Sequence, residues 1–332
     1  MLYSITHRTR LDYSCPISES VMEVRLSPRT DEHQVLRQFS LTVTPAAKVT
    51  HHDDWLGYTV HQFSVLGVHD QVTIVSKGLV ETRPVALSLT EFVTPLAERN
   101  RDHRCWDFLQ HHGPVVDDPA LPELGRRLGL HKAHNVGEAI DIVTKQLRDI
   151  LSYRRGATDS ASTVSDALKA GAGVCQDFAH LSLALLRRIG VPCRYVSGYL
   201  NRESAPEIET HAWAEAYVPD RGWIAFDPTH GALANEQYVT VAVGRSYADV
   251  PPNRGVFRGD AKEVIDVSVL MERQEERTRL TPYPTAIERA QKAPSPRLAT
   301  VPLRLTLGLE QQLARPNAVG AVVQQQRQQQ QR

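Results

Sequence analysis

Hydrophobic and polar residues alternate along the first quarter of the chain, which is the pattern of half-buried β-strands. Residues 3–9, 39–43 and 60–65 show this alternation. Segments rich in turn-forming residues, such as 27–31, separate the runs at the spacing of strands joined by hairpins. The alternation therefore predicts an antiparallel β-sandwich domain over residues 1–85.

The period changes to three and four residues after residue 134, which indicates a helix. Asn135 followed by Glu138 is typical of a helix start, because both side chains can accept backbone N–H groups there. The apolar positions of this helix are Ile140, Val143, Leu147 and Ile150. Residues 86–134 show no sustained period, so we expect a linker and helical segment between the β domain and this helix.

A second helix and two strands follow. The helix has one apolar face, formed by Phe178, Leu181, Leu185, Leu186 and Ile189. It ends at the Gly and Pro of residues 190–192. Residues 211–218 and 223–227 have strand patterns on either side of a turn. We expect residues 135–270 to form the core of an α+β fold, with this helix packed on an antiparallel sheet.

The apolar pattern fades after residue 270, where prolines and then glutamines become frequent. Such a composition buries little apolar surface, so a disordered Pro/Gln-rich tail is predicted over residues 271–332. Glutamine-rich composition alone does not identify a partner for the tail.

Charge and hydropathy exclude several classes of function. The chain has 38 basic and 38 acidic residues, so no net charge attracts nucleic acid or an anionic membrane. No apolar run is long enough to span a bilayer, and the first residues alternate instead of forming the apolar stretch of a signal peptide. These patterns predict a cytoplasmic protein that binds neither nucleic acid nor membrane.

Four cysteines are present, at positions Cys15, Cys105, Cys175 and Cys193. They are too few and too widely spaced for a disulfide framework, and none forms a Cys-x-x-Cys pair. We therefore expect neither disulfides nor a metal site, which leaves each cysteine as a core residue or a nucleophile.

Cys175 is the best candidate for a nucleophile, because it comes at the start of the second predicted helix. The unpaired amides and the dipole at a helix N-terminus stabilise a thiolate, which is the nucleophilic form of cysteine. The same amides can bind the oxyanion that forms when sulfur attacks a carbonyl, and Gly171 and Gly173 permit close approach of a substrate. A buried structural cysteine is the alternative.

The geometry of helices and strands distinguishes between the candidates for the general base. His180 is five residues beyond Cys175 and points roughly 140° away from it on a regular helix, so we expect it in the core. His211 and Asp227 lie on neighbouring predicted strands, and the register decides whether they meet. A two-residue loop turns His211 away from Asp227. A three-residue loop with Val218 opposite Gly222 brings the two side chains together, and we predict that register.

Four stretches of the sequence resemble the transglutaminase-like superfamily: residues 173–180, 190–199, 211–213 and 223–229. The first 85 residues also resemble the β domain that precedes this core in bacterial members. The resemblance implies a papain-like transglutaminase core, in which Cys175, His211 and Asp227 form a catalytic triad.

The resemblance also implies an aromatic hydroxyl that binds the oxyanion. Tyr153 is the candidate for this role, and packing against the end of the preceding helix is the alternative. Gln176, next to the nucleophile, and Trp213, on the strand of the base, are further candidates for oxyanion or substrate contacts.

The reaction implied by the triad forms a thioester from an amide, and the acceptor then decides the product. Likeness to bacterial members favours water as the acceptor, which gives a peptidase or amidase acting on peptide or protein amides without a cofactor. An amine acceptor would give a protein-glutamine transamidase. A binding or scaffolding module that uses the fold without catalysis is the alternative from a different class.

Overall fold

The computed structural model describes residues 1–84, 88–96, 103–201, 207–219, 221–274 and 320–322. The strands are β1 Leu2–Val24, β2 Gln34–Thr44, β3 Thr50–Asp53, β4 Thr59–Thr82, β5 Ser152–Tyr153, β6 Ala172–Gly173, β7 Cys193–Leu200, β8 Glu207–Ile208, β9 Thr210–Val218, β10 Gly222–Asp227, β11 Ala232–Leu233, β12 Tyr238–Gly244, β13 Asn253–Arg258, β14 Glu263–Gln274 and β15 Gly320–Val322. The α-helices are α1 Leu121–Leu128, α2 Val136–Gln146, α3 Val164–Ala170 and α4 Cys175–Arg188. Short 3-10 helices cover Leu89–Glu91, His103–Leu109, Leu130–Lys132, Leu147–Asp149 and Tyr247–Asp249. The predicted α+β class is confirmed.

An eight-stranded sheet forms the β domain, with β1 to β4 from the first part of the chain and β8, β13, β14 and β15 from later parts. Its long strands β1 and β4 pair along most of their length, and the pairing register shifts between Asp12 and Ile17, where the sheet bends. Leu11 and Ile74 before the bend share a buried apolar cluster with Met22 and Phe63 beyond it. The bent sheet therefore encloses a core of its own, as a sandwich does.

Two strands from residues 253–274 complete the β domain. β14 pairs with β1 in register from Leu2 opposite Gln274 to Tyr13 opposite Glu263, and β13 pairs with the far half of β1. These strands were assigned to the core and the start of the tail from sequence. Apart from β15, which pairs with β13, the rest of the predicted disordered tail lies outside the described residues.

The core is built on a five-stranded antiparallel sheet in the order β11-β10-β9-β7-β12. Helix α4 packs on β9 and β7, while α2 and α3 pack on its other sides. The sequence predicted one apolar face for α4, but the helix is buried all round, from Gln176 to Arg187. Helices and strands together surround it, which explains why a single stripe does not describe its contacts.

The N-terminus of α2 shows the predicted capping. The Asn135 side chain accepts the backbone N–H of Glu138 at 2.9 Å, and the Glu138 carboxylate accepts the N–H of His134 at 2.8 Å. Such caps stabilise a helix by about 1 kcal/mol. Within the described part of the chain, no helix is both long and apolar enough to cross a membrane.

The β domain and the core are joined by polar contacts as well as by a shared apolar cluster. The imidazole of His7 and the hydroxyl of Tyr199 form a buried hydrogen bond of 2.8 Å. The side-chain amide of Gln34 pairs with the backbone of Thr240, donating to its carbonyl and accepting from its N–H, both at 2.8 Å. Strand β8 adds to the edge of β14. These contacts fix the β domain beside the core.

Candidate active site

Cys175 is the first residue of α4 and is half-buried. A buried carboxylate organises the backbone before it, because Oδ2 of Asp177 accepts the N–H of Val174 at 2.7 Å and the hydroxyl of Thr158 at 2.6 Å. A Cβ on Gly173 would lie only 2.5 Å from this carboxylate. Glycine is therefore required two residues before Cys175, and the amides at the N-terminus of the helix are held in place.

His211 and Asp227 meet as predicted from the register. Val218 lies opposite Gly222 across the β9–β10 turn, so His211 is diagonal to Asp227 on one face of the sheet. Nε2 of His211 donates to Oδ2 of Asp227 at 2.7 Å. This bond leaves Nδ1 as the imidazole nitrogen available to Cys175.

Asp227 accepts hydrogen bonds from five groups. Oδ1 accepts the backbone N–H groups of Thr229 at 2.8 Å and of His230 at 3.3 Å. Oδ2 accepts from His211, from Nδ1 of His230 at 2.6 Å and from the hydroxyl of Tyr238 at 2.9 Å. Although burial raises the pKa of Asp227, the bonds from His211 and His230 outweigh it and hold the pKa well below its usual range. The carboxylate is therefore ionised.

His230 and Tyr238 were missed by the sequence analysis. His230 follows Asp227 by three residues, just past the end of β10, and this spacing was a usable signal. Tyr238 begins β12, at the opposite edge of the sheet from β11, and no local pattern connects it to Asp227. Its contact depends on the long-range fold.

The electrostatics of His211 depend on its two neighbours. Burial lowers the pKa of His211, but the hydrogen bond to Asp227 and the interaction with the Cys175 side chain raise it more, so the net pKa lies well above its ordinary value. The charged form of the His211 imidazole is therefore favoured. Cys175, His211 and Asp227 are thus brought together in one chain of contacts.

A cavity of about 620 Å³ opens beside this chain and is lined by both Cys175 and His211. Tyr153 also lines it and is 51% exposed. The short parallel pairing of β5 with β6 places Tyr153 opposite Gly173, two residues before the cysteine. Burial and the nearby Cys175 charge raise the pKa of Tyr153 to about 12, so its hydroxyl keeps its proton and can donate.

The structure does not bring Gln176 or Trp213 into the cavity lining. Gln176 is buried, and its Nε2 donates to the carbonyl of Ser160 at 3.3 Å. Trp213 is buried behind His211, with ring centroids 6.0 Å apart and the planes inclined by 26°. Both side chains therefore support the site from within the protein.

His180, excluded as the base from helix geometry, lies in the core as expected. It is 1% exposed, and its Nε2 accepts the backbone N–H of Tyr247 at 3.1 Å. Its ring packs against Tyr195, with centroids 5.0 Å apart.

His211, Asp227 and His230 form a possible metal-ligand group among the described residues. One ligand atom from each lies within 4.8 Å of the others. Both imidazoles already donate to the same carboxylate oxygen, so a metal ion would have to displace the two protons. A metal ion at this position would also take the nitrogen with which His211 contacts Asp227.

Two parts of the chain match known families. Residues 3–81 match the bacterial transglutaminase-like N-terminal region. Residues 124–228 match the transglutaminase-like superfamily. The second match contains the start of α4 and the two strands that carry His211 and Asp227.

Similar proteins extend these matches. An uncharacterised protein of Mycobacterium leprae, ML0607, is 33% identical over 272 residues, which are 80% of this chain and 96% of the relative. A solved structure from Cytophaga hutchinsonii, of a protein proposed to be a cysteine protease, has a TM-score of 0.70 at 22% identity, covering 86% of this chain and 94% of the other. A protein-glutamine gamma-glutamyltransferase of Pseudomonas aeruginosa is 35% identical over 66 residues, 18% of this chain and 10% of the relative. The structural likeness shows that the overall fold is shared.

Proposed function

This chain belongs to the transglutaminase-like superfamily, and on that premise we propose that it is a cysteine-nucleophile enzyme that hydrolyses amide bonds through a thioester. The observation that carries the proposal is the position of His211, between the buried Asp227 carboxylate and Cys175 at an open cavity. In this proposal Asp227 orients and charges the imidazole, His211 transfers protons, and Cys175 attacks the substrate.

The first half-reaction forms the thioester. The Cys175 thiolate attacks the amide carbon, an S–C bond forms, and the carbonyl π electrons move to oxygen. The resulting oxyanion accepts hydrogen bonds from the amides at the start of α4 and from the Tyr153 hydroxyl. When the intermediate collapses, the C–N bond breaks and the His211 imidazolium gives its proton to the departing amine.

The second half-reaction releases the acid. His211, now neutral, takes a proton from water while the water oxygen attacks the thioester carbon. The C–S bond then breaks, the Cys175 thiolate re-forms beside the imidazolium, and the carboxylic acid product leaves. Because Cys175 is only half-buried at the cavity, water can reach the thioester.

Transamidation is the second candidate, in which an amine replaces water in this step. It is favoured by the likeness to the Pseudomonas aeruginosa gamma-glutamyltransferase, although this likeness covers only 66 residues. The two reactions share the triad and differ in the acceptor alone.

A two-part experiment tests the proposal. Glutamine-containing peptides are incubated with the protein, with and without a primary amine, and the products are identified by mass. Acid products in both incubations support hydrolysis, whereas amine adducts support transamidation. Cys175→Ala should form neither product.

Alkylation by iodoacetamide tests the nucleophile without a substrate. Peptide mapping compares the labelling of Cys175 with that of Cys193, which is buried. If Cys175 is labelled no faster than Cys193 and only at alkaline pH, the chain uses the fold as a non-catalytic module.

A further inference from the structure

The β domain forms one wall of the cavity at Cys175. Thr6 and Arg8 of β1 line it, together with residues 267–270 of β14. The opposite wall comes from the core and includes Tyr153 and His211. A substrate that reaches the cysteine must therefore pass between the two parts of the fold.

This wall is fixed in position. His7, between Thr6 and Arg8 in β1, points to the other side of the strand and makes the buried hydrogen bond to Tyr199 of the core. Strand β8 of the core continues the sheet, with Ile208 opposite Val269. Thr6 and Arg8 thus project from a rigid strand, which is the property expected of a specificity determinant.

The charges that line the cavity do not cancel. Arg155 forms an ion pair with Glu209 at 2.7 Å, and both side chains line the cavity. Arg8 lines the same cavity, is exposed, and forms no ion pair among the described residues. Arg10, two positions further along β1, pairs with Asp12 at 2.9 Å and lies outside the cavity. Among the described residues, the guanidinium of Arg8 therefore lines the cavity outside any ion pair, and its charge acts on the carboxylate of Asp12 only through space.

Apolar side chains also line the cavity. They are Leu200, Ile208, Val267, Val269 and Leu270. A cavity with apolar walls and one uncompensated guanidinium suits a ligand that has an apolar body and a single negative charge. A guanidinium can bind a carboxylate through two parallel N–H···O bonds. A doubly charged phosphate would leave a net negative charge in the cavity.

We propose that Arg8 is a carboxylate-binding residue of the substrate site, so that the preferred substrates are amides that carry a free carboxylate within reach of the scissile bond. This inference rests on the proposed function, because it places the subsite relative to Cys175. It assigns to the β domain a direct part in substrate selection.

The test uses bromoacetyl probes that alkylate Cys175. N-bromoacetyl derivatives of glycine, β-alanine and γ-aminobutyrate place a carboxylate at increasing distances from the reactive carbon, and their N-methylamides are neutral controls. In each reaction the Cys175 sulfur forms a bond to the methylene carbon, and bromide leaves. Peptide mapping gives the rate at Cys175 for each probe, and the ratio of anionic to neutral rates measures the subsite.

We expect the wild-type protein to prefer at least one anionic probe, and Arg8→Gln to reduce that ratio about threefold to tenfold. Arg10→Gln is the matched control and should keep the wild-type ratio. Higher ionic strength should reduce the wild-type preference. An unchanged ratio in Arg8→Gln at every spacing would overturn the proposal.

The neutral probes separate this inference from the proposed function. If Cys175 reacts with the neutral probes no faster than Cys193 does, the assignment of Cys175 as the nucleophile is wrong. The Arg8 subsite is then tested by ligand binding alone. Saturation-transfer NMR on Cys175→Ala, with the N-acetyl counterparts of the probes, reports that binding. For this comparison Arg8→Gln is added to Cys175→Ala. Equal saturation-transfer signals from the double variant and from Cys175→Ala would also contradict the proposed subsite.

Discussion

Cysteine and histidine occur together in two regions around α4, and the two regions behave in opposite ways. At the N-terminal end, Cys175 is half-buried at a cavity, and the pKa of His211 is raised by its neighbours. In the core, around His180 of α4 and Cys193 of β7, burial raises the pKa of the Cys193 thiol to about 12. Burial also lowers the pKa of His180 to about 3, and the charge of Arg187 adds to the effect. His211 is therefore suited to its charged form, whereas Cys193 and His180 are suited to their neutral forms.

Burial does not account for the difference, since His211 is 9% exposed and His180 is 1% exposed. The two imidazoles differ in pKa because their hydrogen-bond partners differ. His211 donates to the Asp227 carboxylate, whereas His180 accepts from a backbone N–H. The charged group near His180 is the Arg187 guanidinium, which disfavours an imidazolium. The carboxylate therefore distinguishes a site with a charged imidazole from a packed core with similar residue types.

The largest expected effect comes from removing the charged imidazole. The raised pKa keeps His211 protonated through neutral pH, and in the proposed mechanism its charge supports the attacking sulfur. In His211→Ala the cysteine should behave as an ordinary thiol, with labelling by iodoacetamide at about pH 6 reduced by about two orders of magnitude. The rate is measured by peptide mapping across mildly acidic to alkaline pH.

His180→Gln is the matched control, because its side-chain carbonyl can still accept the N–H of Tyr247. We expect its labelling profile to follow the wild type. Equal loss of labelling in both variants would mean that the two regions do not differ as described.

Changes in the region around His180 and Cys193 should instead affect the stability of the protein. The buried guanidinium of Arg187 donates to the carbonyls of Gln110 at 2.8 Å, Cys193 at 2.8 Å and Arg245 at 2.6 Å. Arg187→Met leaves these carbonyls without their donor, and we expect the free energy of unfolding to fall by about 3 to 5 kcal/mol. Urea unfolding measures the loss.

Arg188→Met is the control for this change. Arg188 pairs with Asp117 at the surface, so its loss should cost about 1 kcal/mol or less. The folded fraction of Arg187→Met should still label Cys175 at the wild-type rate. If Arg187→Met unfolds with the same free energy as the wild type, the hydrogen bonds of Arg187 contribute little to the stability of the core.

Two buried carboxylates near Cys175 should respond to pH with opposite signs. The pKa of Asp227 lies below its ordinary value of 3.8, so its carboxylate stabilises the fold above that value, and this stability is lost as the pH falls. Burial, opposed by hydrogen bonds, raises the pKa of Asp177 to about 6. The folded state then holds a proton that the unfolded state releases, so this contribution weakens as the pH rises from about 4 to 6.

Asn substitutions at the two positions measure these contributions. Asp227→Asn should lower the free energy of unfolding by about 2 kcal/mol at neutral pH, with a deficit that narrows in acid. The difference between wild type and Asp177→Asn should instead shift in favour of the variant as the pH rises through that window. Denaturant unfolding at several pH values checks both, and slopes of the same sign would contradict the assignment.

Local patterns were enough to predict what depends on neighbouring residues in the chain. The alternation of β1 and β4, the cap at Asn135 and the three-residue turn after Val218 each involve a short segment, and each is confirmed. The turn length fixed the register, and the register fixed the contact between His211 and Asp227.

Contacts between distant segments were not predictable in this way. The pairing of β14 with β1 joins segments more than two hundred residues apart, and no periodicity specifies such a partner. The same reason applies to Tyr238 at Asp227. The full burial of α4 was also missed, because polar residues such as Asp177 and Arg187 are paired inside the protein.

The smallest expected effect comes from one hydroxyl at the edge of the site. Tyr238 donates to Oδ2 of Asp227 at 2.9 Å, and its ring packs edge-on against Trp213 with centroids 5.3 Å apart. Tyr238→Phe keeps the packing and removes one of several donors, which costs about 1 kcal/mol. With less support, the carboxylate holds the imidazolium less strongly, and labelling of Cys175 in mildly acidic solution should fall about threefold to fivefold.

Tyr199→Phe distinguishes an effect on the site from a general loss of stability. Its hydroxyl bonds to His7 at the junction of the β domain and the core, so a similar loss of stability should leave the labelling rate unchanged. If both variants label alike, Tyr238 only helps to hold the fold. If only Tyr238→Phe labels Cys175 slowly, and mainly in acid, then the Tyr238 hydroxyl helps Asp227 to raise the pKa of His211. The raised pKa is the property that distinguishes His211 from His180.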